Sequence, residues 1–321
     1  MDHTFERRPL LDQGSLERLR ERRDAPSIVR MTLHVGAVVL CARLLVWFSD
    51  TTIVAIPVMV LLAQIVAPLF APFHECAHRT AFRTGLLNDI GAWLAGVPCG
   101  FSPSAFRALH VEHHRHTNDS ARDPEMGGPE DEGGLPLTSL QWLSVVLGWW
   151  HFRFKTLLLV RLSVLPVSRW EAFAPWAPPG LRRHIAWEAR VVAGLWLALV
   201  AAAWFDVPGA RWMLGALALS HVFQGAWQSL EHRGMPKDGP VLTRTRSLRS
   251  PLVVRWLVWN SNFHAEHHAW PGIPWHSFHG IWSGRTDCDT TSALVGTGVA
   301  STTSITAPHT FELFMTSSSV R

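Results

Sequence analysis

Histidine is concentrated in three short stretches of this chain. HVEHHRHTND at 110–119 holds His110, His113, His114 and His116, HAEHH at 264–268 holds His264, His267 and His268, and HECAH at 74–78 holds His74 and His78. A neutral imidazole presents its lone pair at a fixed angle and is the commonest protein metal ligand. At about 100° per helical residue, His110, His113 and His114 fall at about 0°, −60° and +40°, one narrow face, and His116 lies roughly 120° from His110, off that face. His264, His267 and His268 repeat the spacing and therefore the face, and His74 and His78 are neighbours one turn apart. A polar surface run has no reason to repeat this pattern, so the three stretches predict metal coordination.

Two other chemistries compete for parts of the pattern. HECAH fits the HExxH form of zinc proteases, with Glu75 as general base, but two further histidine trios exceed what a hydrolytic zinc needs. An ion carrier would want polar residues through its spans, and those spans offer few beyond His34, Arg43 and His221.

The setting follows from composition. The 321 residues are 48% hydrophobic and 17% charged, with 17 Trp and no Tyr, and the mean hydropathy is positive; this is too apolar and charge-poor for an average soluble domain. Cys41, Cys76, Cys99 and Cys288 show no paired spacing, so neither a disulfide framework nor a thiolate zinc site is expected. The first 26 residues, within an N-terminal arm of 1–30, alternate charges and lack a signal-peptide core. Residues 31–48 and 52–72, joined by a short link, and 187–205 and 211–230, joined by DVPGA, are each long enough to cross hydrocarbon. They predict an all-α integral membrane protein with about four spans in two hairpins. The Trp-rich stretches 86–101 and 137–154 read as interfacial or re-entrant helices. The two links hold no Lys or Arg, so the positive-inside rule puts both termini and all three histidine stretches in the cytoplasm, as a histidine-rich metal-binding cap. Eight imidazoles are few for two metal ions, and QGAWQSLEH at 224–232 adds His232 at the membrane edge, with Gln228 one turn before it. His221 is expected to be packed, and His3, His34, His151, His184, His276, His279 and His309 are scattered.

HECAH, HVEHH and HAEHH, with the flanking RHTNDSARDPE and WNSNF, resemble the histidine boxes of the membrane fatty acid desaturase superfamily in its bacterial-type branch, over roughly residues 50–282. The resemblance implies two iron ions held by His74, His78, His110, His113, His114, His232, His264, His267 and His268, with O2 as co-substrate. It implies oxidation of an unactivated C–H bond in a lipid, here the introduction of a double bond into an acyl chain. Gln228 stands where some relatives place an amide that reaches a metal through water. A ligating imidazole usually donates its other N–H to a carboxylate or carbonyl, so Glu75, Glu112, Glu231, Glu266, Asp89, Asn118, Asp123 and Asn262 are expected to support the ligands. Glu112 and Glu266 point roughly 160° to 200° away from the nearest ligands on their own helices, which argues against direct coordination.

The closest rival is a hydroxylase or ketolase of the same histidine-box class acting on a carotenoid, sterol or alkane. Imidazole suits iron, zinc, copper and nickel alike, so iron is named by the resemblance and not by the ligand type. The 26-residue arm is too short for a haem domain, and no dinucleotide fingerprint or iron–sulfur cysteine set is present. A separate ferredoxin, rubredoxin or haem-type carrier is therefore expected to dock on the basic face. Lipid and membrane, not nucleic acid, are the expected partners. Residues 1–284 read as the membrane domain, and 285–321 turn Ser/Thr-rich, reading as a disordered tail that departs from the resemblance.

Overall fold

The structure, a computed structural model, describes residues 13–119, 121–125, 138–237 and 239–278. All of these lie in a compact unit, Met1–Thr286; the tail at 285–321 and Cys288 fall outside the described residues. The described residues are helical with no strand: α1 (Gln13–Leu19), α2 (Asp24–Trp47), α3 (Thr52–Val66), α4 (Phe70–Ala77), α5 (Gly85–Cys99), α6 (Pro103–His116), α7 (Ser139–Val146), α8 (Trp149–Val164), α9 (Arg182–Trp204), α10 (Ala210–His232), α11 (Leu252–Leu257) and α12 (His264–Ala269).

Among the described residues, three helical stretches are long and apolar enough to cross a membrane: Asp24–Trp47, Thr52–Ala77 and Pro179–Trp204. The second runs from α3 through a short 3-10 turn at Ala67–Leu69 into α4, where Pro68 tightens the backbone. The expected fourth span is a continuous helix of 23 residues, but His221, Gln224 and Gln228 leave it outside that apolar set. The expected first span begins earlier, at Asp24, and Arg43 sits exposed one turn from its far end, where its long side chain can reach the interface. The two hairpins are observed and their tips adjoin. Trp212 Nε1 donates to Ser49 O at 2.9 Å, and a Cβ on Gly209 would lie 2.9 Å from the Val46 backbone. Trp47, Trp204 and Phe205 stand exposed at these tips, as interfacial aromatics do. The boxes lie at the other end of the same helices.

The stretch expected as one interfacial segment over 137–154 is two helices bent by 59°, and the second runs on to Val164. Arg153 and Lys155 disguise the continuation, because Lys155 is buried. Gly148 makes the break. It has φ +59°, and a Cβ there would meet His221 O at 2.8 Å, while a Cβ on Gly225 would lie 2.5 Å from Gly148 Cα. Glycine on both sides therefore lets α8 cross α10 at backbone contact.

Three contacts aim the box-bearing segments. Phe70, Phe73, Phe101 and Phe106 form an aromatic cluster, with the Phe73 and Phe106 rings 4.5 Å apart, and Phe106 stacks on His110 at 5.0 Å. Glu188 of α9 caps α6: it accepts from Ser102 Oγ at 2.7 Å, Ser104 N at 2.8 Å and Ser104 Oγ at 2.9 Å. A carboxylate at a helix N-terminus also meets the positive end of the backbone dipole. Arg30, near the start of α2, donates to the carbonyls of Arg255 and Trp256 and lies 4.3 Å from the Trp275 ring centroid, which clasps α2 to the segment carrying the third box.

Glu188→Ala should leave several buried donors of the α6 cap unsatisfied and cost on the order of 2 kcal/mol. Thermal unfolding in detergent measures this, and an unchanged midpoint would show that the cap does not hold α6.

Candidate metal centre

The structure gathers all nine box and box-edge histidines into two adjoining clusters. Ring nitrogens of His74, His78, His110, His114 and His267 lie within 4.8 Å of one another, and those of His113, His232 and His268 do the same. His264 joins the second group, with its Nε2 2.8 Å from His232 Nε2 and 3.1 Å from His268 Nε2. In the first group His267 Nε2 lies 3.2 Å from both His78 Nε2 and His114 Nε2, and His114 Nε2 lies 2.9 Å from His110 Nε2.

A neutral ring nitrogen carries either one proton or one lone pair, so it cannot satisfy two such neighbours by hydrogen bonding. Both nitrogens of His74 and Nε2 of His113 are buried with no hydrogen-bond partner. A shared cation resolves the conflict: at a metal–nitrogen distance of about 2.1 Å, adjacent ligands at right angles lie about 3.0 Å apart, which is the observed spacing. Burial, reinforced by neighbouring histidines, holds His110, His114, His264, His267 and His268 well below the usual histidine range. They are therefore neutral, the form in which imidazole binds metal. The residues present fit a pair of metal ions.

Outer partners fix the rings. Asp123 lies 2.8 Å from His113 Nδ1 and is itself held by the backbone N–H groups of Asn118 at 2.8 Å and Glu125 at 2.9 Å. Burial alone would lower the His113 pKa, but the Asp123 and Glu125 carboxylates overcome it and push it up to about 9. Burial raises the Asp123 carboxyl, but His113 and the hydrogen bonds more than offset it and its pKa is lowered. Glu125 Oε1 lies 2.8 Å from His110 Nδ1, and burial pushes the Glu125 carboxyl up to about 7, against the pull of His113. Thr117 Oγ1 donates to His113 O at 2.9 Å, so it must accept from His268 Nδ1 at 3.1 Å, which turns the Nε2 lone pair of His268 inward.

The expected supporting residues divide. Asp123 meets an imidazole directly, and Glu231 lies 3.7 Å from His264 Nδ1 while accepting from Trp227 Nε1 at 2.9 Å. Asn118 and Asn262 act on backbone instead: Asn118 Nδ2 donates to Met235 O and Pro236 O, and Asn262 Nδ2 to Leu248 O. Glu75 accepts from Thr80 Oγ1 and Trp275 N, Glu266 from Ser247 Oγ. Asp89 pairs with Arg79 at the surface. Glu112 pairs with Arg115 and lies 3.7 Å from His116 Nε2, so both face away from the clusters as their helical angles require. Gln228 has its Oε1 buried without a partner. Glu125 is the residue that sequence reasoning passed over; a second acid two positions beyond Asp123 was the available signal. His151, read as scattered, lines a cavity together with His74, His110, His113 and Phe106. This cavity has an empty volume of about 1250 Å³ including its open mouth.

The model of the family described as fatty acid desaturase matches residues 50–288, which include every histidine of both clusters. The chain belongs to the fatty acid desaturase family. Among its relatives, a Delta(5) fatty acid desaturase of Caenorhabditis elegans is 23% identical over 237 residues, 65% of this chain and 52% of that protein. An sn-1 oleoyl-lipid 12-desaturase of Picosynechococcus is 33% identical over 97 residues, 29% of this chain and 26% of that protein. A sphingolipid delta(4)-desaturase/C4-monooxygenase of Rattus norvegicus is 26% identical over 211 residues, 63% of this chain and 56% of that protein. The chain thus spans about half the length, or less, of these relatives. With three to four apolar helices of spanning length, this desaturase-family chain is an integral membrane protein with histidine clusters suited to metal.

Asp123→Asn should free His113 to rotate and weaken metal retention about 10 to 100-fold. Titrating purified protein with a chelator measures this, and retention equal to the unsubstituted protein would show that Asp123 does not orient a ligand.

Proposed function

We propose that this chain is an O2-dependent di-iron desaturase that introduces a double bond into the acyl chain of a lipid. The observation that carries the reading is the pair of adjoining all-imidazole clusters beside an aromatic-lined cavity, at one end of apolar helices. His74, His78, His110, His114 and His267 would hold one ion, and His113, His232, His264 and His268 the other. Bound iron supplies the redox chemistry with O2 that no side chain can supply. Overall, a –CH2–CH2– unit, O2, two electrons and two protons become –CH=CH– and two waters.

The protein's own residues orient and exclude. Asp123, Glu125 and Thr117 hold imidazoles in the tautomer that points a lone pair inward. Phe70, Phe101, Phe106 and Phe154 line the cavity, giving an acyl chain an apolar seat and keeping bulk water from the reacting carbons. The basic residues flanking the boxes and the two hairpin links, which hold no Lys or Arg, support a cytoplasmic cap, and that basic face suits an acidic ferredoxin, rubredoxin or haem-type electron carrier. The printed name of the rat relative joins desaturase and monooxygenase activities, which keeps hydroxylation as a second reading.

Feeding defined lipids to cells that express the chain, followed by mass spectrometry, separates the two: loss of two hydrogens without gained oxygen is the expected product. Gained oxygen would make the chain a hydroxylase, and no product with any lipid would remove the enzymatic reading. Purified protein should hold about two iron ions per chain, measured by elemental analysis; one zinc and no iron would favour a hydrolytic site. His114→Ala and His232→Ala should abolish turnover, while His116→Ala at matched expression keeps most of it. Equal loss in His116→Ala would overturn the ligand assignment. Impermeant labels should reach cysteines placed at 50 and 207 from outside, and not at 240 or 275.

A further inference from the structure

Charging a buried amine is costly unless something pairs with it, and Lys155 carries such an amine. It is 2% exposed, and no carboxylate lies within 4.0 Å of it among the described residues. Its Nζ donates to Gln224 Oε1 at 2.8 Å and stands 5.7 Å from the ring centroid of Phe101, which lines the metal-side cavity. When protonated it has three protons to donate and no acceptor, and the Gln224 amide oxygen takes up only one of them.

The contact also fixes Gln224. The two ends of an amide are interchangeable unless a neighbour distinguishes them, and here a donor-only group does, holding Oε1 toward α8. Gln224 Nε2 is buried with no hydrogen-bond partner among the described residues, although His221, one turn earlier on α10, also meets the Gln224 side chain. Gln224 lines an apolar cleft between α3, α10 and α11 that shares Phe70, Gln228 and Ser261 with the metal-side cavity. On α8, Trp150 and His151 line that cavity, and Trp150 Nε1 and His151 Nε2 are likewise buried without partners. Gln228 has an unpartnered Oε1 one turn along α10, but no ammonium fixes which end of that amide faces inward. Unpartnered polar atoms, the Trp150 indole N–H and the Gln224 amide among them, thus gather where an apolar ligand would run.

We propose that Lys155 and Gln224 form a recognition site for an acceptor oxygen group of the substrate, a carboxylate being the group that also neutralises Lys155. The site rests on the acyl-chain reading for the nature of its ligand. Gln224 donates to the oxygen, and Lys155 orients the amide and balances the charge. A chain held by its oxygen end is measured from that end, so the pair would choose which carbons lie beside the histidines.

The test reads binding, not turnover. Metal-loaded protein in detergent is titrated with stearate, methyl stearate and octadecane, and apparent affinities are taken from the ligand-dependent shift in melting temperature. The unsubstituted protein should bind stearate at least about 10-fold more tightly than octadecane, as a hydrogen bond to a charged group allows. Methyl stearate separates a need for the anion from a need for the carbonyl alone. Gln224→Leu and Lys155→Met should each erase the preference while keeping the metal content of the unsubstituted protein, because neither side chain belongs to the histidine clusters. Equal binding of all three lipids, or a preference retained in Gln224→Leu, overturns the proposal. A protein that shows the preference and yields no product faults the reaction assigned above, whereas product formation without the preference faults this site.

Discussion

Nine imidazoles share a space where their nitrogens sit about one hydrogen-bond length apart, with more lone pairs than there are protons to bridge them. Protonating the rings would relieve the lone-pair crowding, but burial and mutual repulsion oppose it for the buried rings, His113 apart. What remains is a demand for multivalent positive charge at two adjacent points. The rest of the architecture serves that demand: α4 and α6 bring one side, the end of α10 and the short α12 the other, and no one of these elements holds a complete set of ligands.

The helices that meet here could not do so without specific concessions in packing. Gly148 and Gly225 bring α8 and α10 to backbone contact, and Phe73 and Phe106 fill the space beneath the first two boxes. Glu188 reaches from α9 to hold the start of α6. These helix-to-helix contacts set where the ligand-bearing segments start, and the loops beyond them finish the orientation of the rings.

Much of this was legible in the residues. The helical angles of His110, His113 and His114 predicted a shared face, and the same angles sent His116 and Glu112 outward, as observed. The hairpins were legible because their apolar runs are long and their links short. The supporting shell was much less so. Asp89 and Glu75 are near the histidines in sequence but spend their oxygens on Arg79, Thr80 and Trp275, and Glu125 was passed over although it meets His110. Which acid meets which ring depends on how the loop after α6 turns back, and Asn118 takes a left-handed conformation there, φ +62°, that no periodicity announces. Lys155 was hidden for the opposite reason: a charged residue inside an apolar stretch reads as the end of a helix, and here the helix continues with the charge turned inward.

The clasp between Arg30 and the segment around Trp256 and Trp275 joins the first apolar helix to a region made more than two hundred residues later. Ser27 and Trp275 Nε1 hydrogen-bond across the same junction at 2.9 Å. During synthesis, the early helices can enter the bilayer while box 3 has yet to leave the ribosome. Both clusters take ligands from box 3, so neither can close until this late segment folds back onto the beginning of the chain. Neither metal site can therefore be complete before synthesis has passed residue 275 and this segment has folded back.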